Sequence, residues 1–242
     1  MKRVDAPEIL DSDACSPHDV PVVLAVLGRI NRWFGGIATT QKMVERVAQT
    51  TGAKRFSLLE VAAGRGEVPD AVRENVARRG IALDITLLDM ARSHLPDGNP
   101  TATNRNVRNC AVVGDALALP FADGAFDLVS CSLFAHHLDP QQLKRFVSEG
   151  LRVSRRAVLI NDLVRHPLHL ALVYVSYPIM RNRVAWLDGL TSVRRSYVPE
   201  EMRSMLADGF PPGTPAQVEL SRQYLFRMGV TVWKSSGRPA LP

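Results

Sequence analysis

The sequence predicts an α/β fold, a doubly wound and mostly parallel sheet of seven strands with helices on both faces and an N-terminal helical lid. Three observations predict it. Short apolar runs of strand length recur along the chain. Segments with helical spacing stand between them, the pattern of a parallel sheet covered on both faces. Acidic residues then stand at or just after the ends of the first three runs, at Glu60, Asp89 and Asp115.

Each element follows in order. Residues 1–16 are polar and expected to be loose. From Pro17 to Phe34, Val20, Val23, Leu24, Leu27 and Ile30 keep a helical spacing. Gly35-Gly36 breaks this helix. A second helix carries Met43, Val44, Val47 and Ala48 and stops at Thr50-Thr51-Gly52. Residues 1–50 are therefore assigned as the lid. Core packing is the favoured role for Trp33. Strands are expected at Phe56–Val61, Ile85–Asp89, within Arg108–Gly114, at Phe126–Ser132 and at Ala157–Leu163. Helices are expected at 67–79, where Val68, Val72 and Val76 share a face, and at Pro140–Arg152. Leu168–Met180 is the longest apolar run, broken only by His169, Ser176 and Pro178. It falls short of the roughly 20 residues a membrane span needs, so it is expected as a buried or pocket-lining helix. It leaves attachment to a membrane surface open. A helix at Pro199–Leu206, a loop at Pro211–Pro215 and a closing strand pair, Val218–Tyr224 and Phe226–Trp233, complete the pattern. The last residues, Ser235–Pro242, are expected to fray. Residues 51–242 thus form one α/β domain with a helical insertion at about 165–207.

The chain has 242 residues, enough for one substantial core. Its net charge of +6 comes mainly from arginines spread along the sequence rather than gathered in a block. Nucleic acid is therefore not the expected partner. Cys15, Cys110 and Cys131 form no CxxC pair, which argues against a disulfide framework or a cysteine zinc site. Cys110 and Cys131 are expected to be buried in strands. No metal ligand set is assigned. With no signal peptide or transmembrane segment in view, a cytoplasmic monomer or homodimer is expected.

The strand ends carry the chemistry. In a parallel sheet Glu60, Asp89 and Asp115 line one crevice, the usual ligand site of such sheets. Three carboxylates suit a ligand with hydroxyls, amines and positive charge, and suit a pyrophosphate poorly. Gly64 and Gly66 let the turn after the first strand pass close to a ligand. A dinucleotide fingerprint would need a third glycine, and Pro69 stands there instead.

Glu60-Val61-Ala62-Ala63-Gly64-Arg65-Gly66 resembles the ExGxGxG first motif of class I S-adenosylmethionine (SAM)-dependent methyltransferases, with Ala62 in place of the first glycine. The stretch Gly114–Val129 is similar to the GDA–LPF–D–FD–V signature of the ubiquinone/menaquinone-biosynthesis group. The resemblance runs from about Phe56 to Asp162. It implies a Rossmann-like sheet, SAM as cofactor and S-adenosylhomocysteine as product. It also implies that Ala62, Gly64 and Gly66 pass under the methionine portion and that Glu60 holds its ammonium. Asp89 would accept from both ribose hydroxyls. Asp115 would accept from the adenine amine, with Met90 and Ala116 flanking the ring, and Ser132 would stand at the methionine end.

For the methyl acceptor, His136 and His137 after the fourth strand are the candidate bases, since histidine titrates near neutrality. Ser132-Leu133-Phe134-Ala135-His136 replaces the Asn/Asp-Pro-Pro-aromatic turn of amino-methyltransferases, so methylation of nucleobase nitrogen is not expected. Asp162, Arg165 and His166 stand where they either reach the substrate or cap the helix from Pro167, and the capping role carries more weight. The expected acceptor is a small aromatic or polyketide-like molecule, methylated at oxygen, with carbon as second choice. An RNA methyltransferase and a non-catalytic SAM-binding protein are the further alternatives. Replacing Asp89 by Ala is expected to weaken SAM binding about 10- to 100-fold. Calorimetry checks this, and unchanged affinity removes Asp89 from the site.

Overall fold

The computed structural model describes residues 1–10, 16, 19–96, 109–207 and 216–234. Cys15, Pro17, Arg108, the Pro211–Pro215 loop and Ser235–Pro242 lie outside the described residues. The elements run α1 (Val20–Trp33), α2 (Gly36–Thr51), β1 (Arg55–Val61), α3 (Glu67–Ala77), β2 (Ala82–Asp89), β3 (Cys110–Val113) and β4 (Phe126–Ser132). They continue with α4 (Pro140–Val153), β5 (Ser154–Leu163), α5 (Pro167–Val175), α6 (Tyr177–Met180), α7 (Arg183–Arg195), α8 (Pro199–Ala207), β6 (Ala216–Gln223) and β7 (Arg227–Lys234).

The seven strands form one sheet in the order β3-β2-β1-β4-β5-β7-β6. The first five are parallel, and β7 pairs antiparallel with both β5 and β6. Strand order reverses between β1 and β4, which opens a crevice beyond their carboxyl ends. The central strands are apolar throughout because both faces are covered. On one face Phe56, Leu58, Leu87, Leu128 and Leu159 pack with Val44, Val47, Val72 and Trp233. On the other, Leu59, Val61, Leu88, Val129 and Ile160 pack with Phe146, Leu151 and Met202. A buried leucine of this kind contributes roughly 1.5–3 kcal/mol.

Within residues 1–50 the two helices differ in environment. Helix α2 buries Met43, Val44 and Val47 in the sheet's own core. Helix α1 instead packs Val23 and Val26 against Ala185 of α7. Residues 1–10, expected to be loose, are fastened. The amides of Ile9 and Leu10 donate to Asp188 at 2.7 and 3.0 Å, and Val4 donates to the Arg194 carbonyl at 3.2 Å.

Other expectations need correction. Trp33 is 58% exposed, not packed in the core. Cys131 is buried, whereas Cys110 is exposed on the edge strand β3. Strand β2 begins at Ala82, where Ala82 and Asp84 face solvent on either side of buried Leu83 and mask the apolar run. Strand β5 begins at Ser154, its first turns disguised by Arg155 and Arg156. The Leu168–Met180 run is two short helices, α5 and α6, and neither has a buried residue.

Two non-glycine residues sit in the left-handed backbone region at the carboxyl ends of the two strands flanking the crevice, Ala62 at φ 52° and Leu133 at φ 57°. L-residues lose about 1–2 kcal/mol there. Ala62→Gly is therefore expected to stabilise the fold by about 0.5–1 kcal/mol after the added entropy of glycine. A rise in melting temperature of about 1–4 °C checks this, and a fall would refute the strain.

Candidate active site

A cleft of about 1230 Å³ opens at the carboxyl ends of the parallel strands. That exceeds the ~300–1,000 Å³ of a pocket for one drug-sized ligand. Its wall includes Glu60, Ala62, Gly64, Asp89, Met90, Asp115, Ala116, Ser132, His136 and His137. Gly66 is not on that wall. It is buried behind the turn at φ 75°, where a Cβ would lie 2.7 Å from Leu87, so glycine there serves the packing of α3 on β2.

Glu60 ends its strand almost fully buried, at 1% exposure. Burial pushes its carboxyl up to about 7, against the hydrogen bonds of Ser130 and Ser132 that pull it down. Parallel pairing sets Glu60 opposite Ser130 on β4, and the Ser130 hydroxyl donates to its Oε2. Among the described residues no cationic side chain pairs with Glu60. Asp89 ends β2 and accepts from the amides of Gly64 at 2.9 Å and Ala91 at 3.0 Å, one on each oxygen. Burial works to raise its pKa, and the bonds from His94, Gly64 and Ala91 outweigh it, so the carboxylate stays below its usual range. Asp115 follows β3 and accepts from the Leu117 amide at 2.8 Å. Met90 is exposed beside it on the cleft wall.

The second half of the cleft is built on a 3-10 turn, Ala135–His137. Helix α4 anchors it through a capping box. The Asp139 carboxylate accepts from the amides of Gln141 and Gln142 at 2.8 Å, and Gln142 accepts from the Asp139 amide at 3.0 Å. His136 is buried, and its Nδ1 lies 2.7 Å from Asp162 Oδ1 while its own amide donates to Asp162 Oδ2 at 2.8 Å. Its Nε2 lies 3.3 Å from Glu8 Oε1, and His137 Nε2 lies 3.7 Å from Glu8 Oε2. Burial works to lower the His136 pKa, but the carboxylates of Asp162 and Glu8 outweigh it and raise it to about 10. Asp162 and Glu8 are held below the carboxylate range by the same contacts, against the upward pull of burial. Ser192 on α7 donates to Glu8 Oε1 at 2.7 Å. Arg3 and Arg195 donate to the carbonyls of His136 and His137 at 3.1 and 2.9 Å.

The two histidines thus share a wall with the strand-end carboxylates. Sequence patterning misses Glu8, which lies in a polar segment with no periodicity. Asp162 is a strand-end acid like Glu60 and Asp89, and that signal outranks the capping role expected for it. Asp162 holds His136, and the helix cap falls to His166, whose Nδ1 accepts from the Leu168 amide at 3.1 Å. Arg165 does not line the cleft. It is buried on the carbonyls of Met1 and Ser196 and the carboxylate of Glu201.

Residues 58–157 match the family model described as a methyltransferase domain. A demethylmenaquinone methyltransferase of Renibacterium salmoninarum is 27% identical over 154 residues, 64% of this chain. The match spans 56% of that relative's length. Among solved structures, the plantazolicin methyltransferase BpumL, in complex with a triazolic desmethylPZN analog and SAH, has a TM-score of 0.68 at 13% identity, with 93% of each chain covered. A SAM-dependent methyltransferase from Aquifex aeolicus has a TM-score of 0.55 at 12% identity, covering 91% of this chain and 99% of that one. At these identities the structural likeness is one of fold. Residues 58–157 thus match a methyltransferase domain, within a fold shared with these solved SAM-dependent methyltransferases.

Were Glu60 to hold the ammonium of SAM, its burial would link cofactor binding to pH. With its pKa raised to about 7, the free protein holds Glu60 mostly protonated at pH 6. A cationic ammonium favours the ionised form, so SAM binding at pH 6 is expected to release most of one proton and to tighten as pH rises to 8. Calorimetry in two buffers of different ionisation enthalpy reads the proton. Glu60→Gln should bind about 10-fold or more weakly and release none. A wild type with pH-independent affinity contradicts the assignment.

Proposed function

We propose that the protein transfers a methyl group from SAM to an oxygen of a small aromatic or polyketide-like acceptor, with His137 taking the acceptor's proton. The residues fit the cofactor. Glu60 is a buried acid without a cationic partner among the described residues. Gly64 presents no Cβ, and the nearest side-chain atom to one placed there is 3.8 Å away, on Leu24. Each Asp89 oxygen has one backbone donor and retains acceptor capacity for a hydroxyl. SAM, when bound, supplies an electrophilic methyl on its sulfonium. The chain's part is then to align the acceptor, exclude water and remove a proton.

One observation carries the choice of base. His136 lies between Asp162 and Glu8 with its pKa raised to about 10, so it is an imidazolium at neutral pH and accepts no proton. It positions Glu8. His137, half-buried on the cleft wall with Glu8 beside its Nε2, is the residue left to accept. The ligand atoms of Glu8, His136 and His137 lie within 4.8 Å of one another, a spacing a metal ion also uses. In this reading the proton of His136, held between Asp162 and Glu8, takes that place. Carbon methylation of a quinol is the second reading, favoured by the acceptor in the Renibacterium relative's name.

Incubation with SAM and a panel of phenols, quinols and polyketide acids, followed by mass spectrometry, tests the class and the atom methylated. His137→Ala is expected to lower kcat about 100-fold or more, while a chelator leaves turnover unchanged. His136→Ala should act chiefly through stability, losing roughly 3–5 kcal/mol by stranding a buried carboxylate. Full turnover in both variants would overturn the histidine mechanism.

A further inference from the structure

The face beside the cleft mouth has a composition the methyl-transfer site does not use. On α5 and α6, Leu168, Leu172, Val175 and Ile179 are 45–71% exposed. Across from them Trp33, Phe34, Tyr224 and Leu225 are 49–77% exposed.

These two groups form one surface. The corner between α1 and α2 abuts the β6–β7 turn, since a Cβ on Gly35 would lie 2.7 Å from that of Tyr224. Arg227 donates to the Phe34 carbonyl at 2.9 Å. The next residue of the turn, Phe226, stacks on His166 and His169 at the start of α5, with centroids 5.2 and 4.9 Å apart.

The charge on this face is one-sided. The segments that build it, residues 20–44, 164–187 and 220–234, contain no Asp or Glu, although the chain has 24. They carry exposed Arg29, Arg32, Arg181 and Arg183, and also Arg222, which pairs with Glu200 of α8 at 3.8 Å. Contiguous apolar surface of this kind marks an interaction site. A rim of Trp, Tyr and Arg around exposed Leu, Val and Ile matches a bilayer interface, with the arginines facing anionic headgroups.

We propose that this face docks on an anionic lipid surface. Helix α5 has nine residues, too few to cross a bilayer, so it lies in the interface. His169, Val173 and Met180 of the same two helices line the cleft. An acceptor dissolved in the bilayer therefore reaches the cleft without crossing water. That last step rests on the proposed methyl transfer, whereas docking does not.

Flotation of the full chain with phosphatidylcholine vesicles, with and without about a third phosphatidylglycerol, tests the docking apart from any turnover. Binding to the anionic vesicles is expected, at least about 10-fold stronger than to neutral ones and weakened by 0.5 M salt. Val175→Glu with Ile179→Glu, and separately Arg181→Glu with Arg183→Glu, should lose about 10-fold or more while circular dichroism and SAM affinity stay unchanged. None of these four residues lines the cleft. Equal binding to neutral vesicles, undiminished binding by both variants, or a concentration-dependent dimer that Val175→Glu with Ile179→Glu dissociates would overturn the proposal, the last by showing that a second copy covers the face.

Discussion

Asp162 accepts two hydrogen bonds from a single residue, the amide and the ring Nδ1 of His136. This contact fixes the 3-10 turn after β4 and the orientation of the ring. It also turns Nε2 toward Glu8, so a buried positive charge stands between two carboxylates. The parallel pairing of β4 with β5 makes the contact possible, since Ser132 lies opposite Asn161 and the residues that follow leave the sheet together. A buried pair of this sort adds little net stability, yet losing one partner is costly. Its effect is therefore to specify one arrangement of the histidine wall of the cleft and to hold the N-terminal segment against α7.

The wall built by Glu60 and Asp89 follows a different physics. Its carboxylates are ordered by sheet register, and its turn is held by hydrogen bonds from the backbone to Asp89. The left-handed conformations of Ala62 and Leu133 are tolerated because well-packed strands on either side dictate where the chain must turn. Strain and a buried Glu60 with no cationic partner among the described residues occur within one short stretch, at the ends of the two strands that flank the crevice.

Much of this was legible in the sequence. Apolar runs with no polar alternation announced strands buried on both faces, and β4 and the end of α2 fall where the pattern places them. Glu60, Asp89 and Asp115 were visible because a strand-end carboxylate stands out against such runs. The starts of β2 and β5 were hidden by Asp84, Arg155 and Arg156, polar residues on strand positions that reach solvent. Glu8 was invisible for a deeper reason. Its position follows from tertiary contacts to Ser192 and Asp188's neighbourhood on α7, and no local period encodes those. In the Leu168–Met180 run the expected burial fails, because it was inferred from hydropathy, whereas the pocket-lining role holds for His169, Val173 and Met180.

The long reach of Glu8 has a consequence for how the molecule comes together. Glu8 is made 184 residues before the serine that seats it. The N-terminal segment must wait until α7 exists, and the sheet closes later still, when β7 pairs with β5.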